Sequence, residues 1–325
     1  GLELAAAGLP SIAAHDRPGE TRFAADVLAD LAAAAHADLV QLDHPALACS
    51  ERFTAPVIVA AAGCAGTWWS AMRSGAPIPD EDRWRSELAR DGYGRCAAAV
   101  APTAAFAAAV AETYGRRPIV VRGGRRAAIA PAAEPAADPF VLAVGRLWDA
   151  GDEMETLDRA ATRVQAPVVA LGPVLGPRGE RTRFARLSAP GPLDPVRTAQ
   201  LLRERPIYAS AARYAPDAPG ALAAGQAGCA LVLSDVPAHR ELWSGAALFF
   251  APGDADGCAA AINRLLADPN LRAERGGAAR ARAGRYSADA MTRGMLGVYR
   301  SVTGGPDRRP ARRTASPRDL SVALG

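Results

Sequence analysis

The chain contains no lysine: all 38 of its basic residues are arginines. That absence excludes several chemistries. A Walker A loop needs a lysine against the β/γ-phosphates, a protein kinase needs its strand lysine, and a Schiff-base enzyme needs an amine. Paired metal-ligand cysteines are missing too. The five cysteines, Cys49, Cys64, Cys96, Cys229 and Cys258, are odd in number and widely spaced, with no CxxC, HExxH or Cys/His cluster. They support neither a zinc site nor a disulfide framework, so no metal is expected, and a reducing, cytoplasmic compartment is. Aromatic residues are only 6% of the chain, and no apolar run approaches the ~20 residues of a membrane span. No charged region precedes an apolar core at the start, so no signal peptide is expected. GxSxG is absent. The nearest approach to GxGxxG, GPVLGPRG at 172–179, has the wrong spacing for a dinucleotide dehydrogenase.

What is present is alanine, about a quarter of the chain. Arginine for lysine together with abundant alanine reads as GC-rich coding. The charge of +4 comes from 38 basic and 34 acidic residues, and no run dominates before residue 308. No specific nucleic-acid partner is expected, and membrane contact is at most peripheral. A length of 325 residues fits two domains of roughly 100–200 residues each.

Apolar periodicity predicts a helix over 20–36. Short apolar runs at 38–42, 56–62, 97–102 and 118–123 predict strands, with helices at 80–92 and 103–114 between them. Residues 124–138 are Pro/Ala-rich and non-periodic, and read as a linker. The alternation then restarts. Strands are predicted at 140–146, 167–173, 206–210, 230–235 and 246–250, and helices at 152–164, 195–204 and 220–228. Three more helices follow at 254–267, 270–283 and 287–302. The tail 304–325 is rich in Pro, Arg and Ser and is expected to be disordered. Strands alternating with helices mean parallel sheets. The expected fold is α/β, with two Rossmann-like doubly wound domains at 1–123 and 139–303. Such folds bind ligands at the carboxyl ends of their strands.

Several segments together resemble the retaining glycosyltransferases of the group 1, or family 4, type. GRLWDAGD at 145–152 is similar to that family's GRL…KG element, and IYASAARYAP at 207–216 to its strand into the donor loop. GCALVLSDVPAHRELWSGAALFFAPGD at 228–254 is similar to the segment that follows. CAGTWWSAMRSG at 64–75 and APTAAFA at 101–107 resemble stretches of one bacterial branch. The resemblance runs from about residue 24 to 302. It implies a GT-B fold and transfer of a sugar, with retention, from a nucleotide diphosphate sugar to a carbohydrate or other hydroxyl acceptor. No cofactor is implied beyond that donor substrate. It implies a donor site built from Gly145, Arg146, Arg213, Ala218, Pro219, Gly220 and Ala221. A planar guanidinium and free N–H groups at a helix start suit a diphosphate. His44, Trp68 and Trp69 fall on the acceptor side. His44 reads as a base or as a loop cap, and the tryptophans as a sugar platform or a packed pair.

The chain departs from the family pattern at chemistry-bearing positions. Ala215 and Ala223 stand where the family has its two glutamates for sugar and ribose hydroxyls. Asp152 stands at the phosphate lysine, and Ala62 at a histidine. Pro219 has no N–H to offer a phosphate. The family's first strand and glycine-rich loop would precede residue 1, so the N-terminal domain is expected to lack its first strand. Two readings follow. One is a transferase with impaired donor binding. The other is a non-catalytic GT-B homologue acting as a binding or partner subunit in a homo- or hetero-oligomer. Glu241 and Trp243, in RELW, read as a helix start beneath the donor site, with an ion pair to Arg240 or a neighbouring helix as the plainer role for Glu241. Asp80, Glu81 and Asp82, and the pair Asp152 and Glu153, read as charge caps at helix starts.

Overall fold

The computed structural model describes residues 12, 15–73, 76–126 and 138–304. The chain divides into two compact units. The first gathers residues up to Pro102, Phe106–Val121 and the chain from Arg293 onward; the second gathers Thr103–Ala105 and Arg122–Thr292.

The first unit begins with α1, Pro18–Ala34. Proline opens it where a missing N–H costs nothing. Thr21, Ala24, Ala25 and Ala29 form its buried face. Strand β1 (Val40–Leu42), a 3-10 turn at Pro45–Ala48 and β2 (Val57–Ala60) follow. Then come α2 (Ala65–Arg73), α3 (Asp80–Arg95), β3 (Ala98–Ala101), α4 (Ala104–Tyr114) and β4 (Ile119–Val120). The four strands form one parallel sheet in the order β1-β2-β3-β4. Asp80, Glu81 and Asp82 stand in the first turn of α3, where the helix dipole favours them.

The second unit runs β5 (Val141–Val144), α5 (Met154–Ala161), β6 (Val168–Leu171), β7 (Ser188–Gly191), α6 (Pro195–Arg203) and β8 (Ile207–Ser210). It continues with α7 (Pro219–Ala227), β9 (Leu231–Ser234), α8 (Pro237–Trp243), β10 (Ala247–Phe250), α9 (Ala255–Ala267), α10 (Pro269–Ala283) and only the start of α11 (Ala288–Thr303). Its six strands are parallel, in the order β10-β9-β8-β5-β6-β7. Alternate residues serve opposite faces, as the two-residue period of a strand requires. Val141, Ala143, Ile207, Ala209 and Val232 pack into one core, with Ile262 and Leu265 of α9. Leu142, Tyr208, Leu231 and Leu233 pack into another, with Trp243 of α8 and Ala279 of α10. Asp194, Asp254 and Asp268 cap α6, α9 and α10 by accepting first-turn N–H groups. Each such cap stabilises by about 1 kcal/mol.

Several expectations are corrected. The second half does not extend to residue 303. Arg293 onward returns to the first unit, because Met295 and Val298 pack with Ile58 and Val100. The helix expected over 152–164 starts at Met154, since Glu153 adopts left-handed φ 48° and cannot continue it. The strand expected at 118–123 is only Ile119–Val120. Most of the linker, the tail beyond 304 and the opening segment 1–11 lie outside the described residues.

Candidate functional site

In the second unit, β5 pairs with β6 on one side and with β8 on the other. The chain leaves β5 towards β6 and later returns to β5's opposite side as β8. The strand order therefore reverses at β5, the place where open parallel sheets form a crevice beyond their carboxyl ends. Three segments meet there: the loop 145–153 after β5, the loop 211–218 after β8, and the start of α7.

The loop after β5 is built from short hydrogen bonds. The N–H of Gly145 donates to Leu171 O at 3.1 Å, and Asp149 N–H to Arg146 O at 2.8 Å. The Asp149 carboxylate accepts Gly151 N–H at 2.8 Å and pairs with the Arg146 guanidinium at 2.9 Å. The Asp152 carboxylate accepts the Arg146 backbone N–H at 2.6 Å. Gly145 permits this arrangement, because a β-carbon there would stand 2.6 Å from Asp152 Oδ2. The loop after β8 is tied to it: the N–H groups of Arg213 and Tyr214 both donate to Gly151 O, at 2.9 and 3.2 Å. The Arg213 guanidinium pairs with Glu153.

Burial raises the Asp152 carboxyl to about 6, against the Arg146 N–H and guanidinium, which favour the charged form. The charges of Asp149 and Asp217 push in the same direction as burial. Asp217 is also raised by burial, and is drawn back by its own N–H, the Arg146 charge and the Ala218 N–H. Tyr208 of β8 lies beneath, its hydroxyl 3.4 Å from Val144 O, and burial and the Asp152 charge hold that phenol protonated. One arginine thus faces three carboxyl groups.

Helix α7 opens without a side-chain cap. Ala218 precedes it in the left-handed conformation at φ 44°, and Pro219 is its first residue. The N–H groups of Gly220 and Ala221 belong to the first turn, which has no intrahelical acceptors. Gly220 is required by the close approach of the Tyr208 ring and hydroxyl. Ala215 and Ala223 bring only methyl groups; Ala223 packs against the core cluster that contains Tyr208 and Trp243.

Gly145, Arg146, Arg213 and Ala218–Ala221 are therefore neighbours beyond the carboxyl ends of β5 and β8. The pair Asp152 and Glu153 does not cap α5 as expected. Asp152 turns back to Arg146 and Glu153 pairs across to Arg213. Spacing along the chain missed Asp149 and Asp217, whose role depends on the loop's return path.

The remaining candidates belong to the first unit or to α8. His44 precedes the 3-10 turn of the first unit, and its Nδ1 accepts Ala46 N–H at 3.2 Å. Burial lowers it to about 4, with Asp43 opposing and Arg85 and His15 assisting. It is a neutral cap and a weak base. Trp68 and Trp69 sit on α2 with ring centroids 6.2 Å apart, both half-buried. The Trp69 indole N–H donates to Ala76 O at 2.7 Å. Ala62 is exposed just after β2. RELW is the end of α8 and not a helix start, because Val236 and Pro237 open that helix. Glu241 does not pair with Arg240. It accepts the N–H groups of Ala104 and Ala105, each at 2.8 Å, and pairs with Arg122. Arg240 pairs with Asp235.

All five cysteines are buried. Among the described residues no cluster of three or more His, Cys, Asp or Glu could hold a metal ion. No described helix is long and apolar enough to cross a membrane.

No protein-family model matches the chain, and no curated protein matches it in sequence. Solved structures do. Sucrose-phosphate synthase from Thermosynechococcus elongatus is similar with a TM-score of 0.74 at 18% identity, over 88% of this chain and 79% of that one. A glycosyltransferase from Rickettsia africae is similar with a TM-score of 0.60 at 14% identity, over 93% and 84%. HepE from Anabaena, solved in complex with UDP and glucose, is similar with a TM-score of 0.67 at 16% identity, over 85% and 82%. The chain has the GT-B fold of these glycosyltransferases, with a four-stranded and a six-stranded parallel sheet.

Proposed function

We propose that the chain is a glycosyltransferase-like protein whose second unit holds the nucleotide part of a nucleotide diphosphate sugar. The observation that carries this reading is the reversal of strand order at β5, where loop 145–153 meets the uncapped start of α7. The likeness to HepE, a protein solved with UDP, supports it. Under this reading Arg146 and the N–H groups of Gly220 and Ala221 face the phosphates, and Arg213 lies beside them. The acceptor is a carbohydrate or other hydroxyl compound, and transfer proceeds with retention. The protein works in the cytoplasm and needs no cofactor beyond the donor.

Donor binding is impaired in this reading. The Arg146 guanidinium and N–H are already engaged by Asp149 and Asp152. A carboxylate near a desolvated phosphate costs on the order of 1 kcal/mol or more. A second reading rests on Ala215 and Ala223: with methyl groups at both positions, the chain serves as a non-catalytic binding or partner subunit.

Calorimetric titration with a panel of nucleotide sugars, followed by a turnover assay, tests both. Weak binding without turnover is expected at neutral pH. Micromolar binding with turnover would overturn the impaired reading. Failure of every nucleotide sugar and every free nucleoside to bind, at any pH, would overturn the nucleotide reading itself.

A further inference from the structure

Arg146 offers its backbone N–H and its guanidinium beyond β5, and this chain engages both internally. Its N–H donates to Asp152 at 2.6 Å, and its guanidinium pairs with Asp149 at 2.9 Å. Both carboxylates come from the same nine-residue loop, 145–153, so they are held there by the fold. Asp149 is fixed by Gly151 N–H, and Asp152 packs against Gly145, where no β-carbon would fit.

We infer that Asp152 and Asp149 are built-in occupants of the anion place at Arg146, and that Asp152 is the residue that sets this crevice's preference against diphosphates. The inference rests on the nucleotide reading above and adds its regulation. While Asp152 is ionised, a diphosphate approaching Arg146 meets two carboxylates and the nearby Asp217. When Asp152 takes up a proton, one negative charge leaves and the carboxyl gains an O–H donor. Its oxygen can still accept Arg146 N–H.

The groups facing Asp152 are known from each side: Arg146 and Asp149 in its own loop, Asp217 before α7, and the Tyr208 hydroxyl on β8. Tyr208 is held protonated by burial and the Asp152 charge. Asp152 is raised to about 6. As pH falls through that value, the charge at the crevice becomes less negative and anion affinity rises.

UDP-glucose is the probe, because its diphosphate is doubly esterified and carries the same two negative charges, one on each phosphate, from pH 5 to 8; uridine is the control without phosphate. Calorimetry on the full chain is run at pH 5.2 and pH 7.8. Wild type is expected to bind UDP-glucose on the order of tenfold more tightly at the lower pH, with uridine unchanged. Asp152→Asn keeps an oxygen for Arg146 N–H. It is expected to bind tightly at both pH values, with the pH step largely gone. Asp149→Asn leaves the Asp152 contact intact and releases the guanidinium. It is expected to bind several-fold more tightly than wild type with the pH step retained, so a general loosening of the loop cannot mimic both variants. If uridine binds but Asp152→Asn shows neither the gain nor the flattened profile, the gate is wrong and the nucleotide reading stands. If neither uridine nor UDP-glucose binds to any variant at either pH, both fall together.

Discussion

The Tyr208 hydroxyl and Gly220 approach so closely that position 220 has no room for a β-carbon. Tyr208 is buried in β8 and its hydroxyl reaches Val144 O. The obstruction is therefore a held ring, and the first turn of α7 is fixed against two strand ends. Gly220→Ala is expected to force the helix start away from β8. The cost is about 1–3 kcal/mol, as for overpacking elsewhere. Urea denaturation checks it. Tyr208→Phe, combined with Gly220→Ala, should recover part of the loss, since the hydroxyl is the nearest atom.

Asp152→Asn should stabilise the protein at high pH. The folded-state carboxyl is raised to about 6 from 3.8. Its ionised form therefore disfavours folding above pH 6, and the penalty fades as pH falls from about 6 to 3.8. A gain of about 1–3 kcal/mol is expected at pH 8, shrinking to nothing near pH 4. Thermal melts of wild type and variant across pH 4–8 measure it. A gain that does not depend on pH would show that charge is not its cause.

Two histidines act in the opposite sense. His44 and His239 are each lowered from 6.5 to about 4, mainly by burial. His239 Nδ1 reaches Ser234 O at 3.0 Å. As pH falls through 6.5 the unfolded chain takes up protons that the folded chain refuses. Stability is lost between about pH 6.5 and 4. His239→Gln retains a donor for Ser234 O and removes the titration. Its loss of stability from pH 7 to 4.5 should be smaller than wild type's by about 1–3 kcal/mol, read from denaturant midpoints.

At the end of α1, His36 is exposed with φ 49°. The N–H of His36 donates to Ala33 O and that of Ala37 to Ala32 O, a helix ending that suits glycine. His36→Gly removes a left-handed β-carbon and no packing contact. A gain of about 0.5–1 kcal/mol is expected in urea denaturation.

The alternation of short apolar runs with helices makes both parallel sheets readable, because β2, β3, β5 and β6 are pure Val, Ile, Leu and Ala. Helix α2, Ala65–Arg73, carries little signal in the sequence, because Trp and Thr are indifferent helix formers and no clear start signal precedes them. Strand β7 was silent because SAPG has the residues of a turn, and only its pairing with β6 makes it a strand. The division of α11 between units was also out of reach, since the same apolar stripe could have packed on either sheet.

At the candidate site, the acid at 152 and the alanines at 215 and 223 were visible as letters. What Asp152 does was not. A carboxylate two residues before a helix reads as a cap for that helix. Here the left-handed Glu153 turns the chain, and Asp152 serves a residue six positions back. Asp217 joins only because β8 lies beside β5.

The two margins of the six-stranded sheet are unlike. β7 carries Pro190, which has no N–H to give, and its register against β6 shifts between Val169 and Leu171. That margin is a poor template for a further strand. β10, at the other margin, is Ala-Leu-Phe-Phe in unbroken register with β9. Should the chain self-associate on partial unfolding, growth would start from Ala247–Phe250, and a single lysine there, the residue this protein never uses, would be the natural brake.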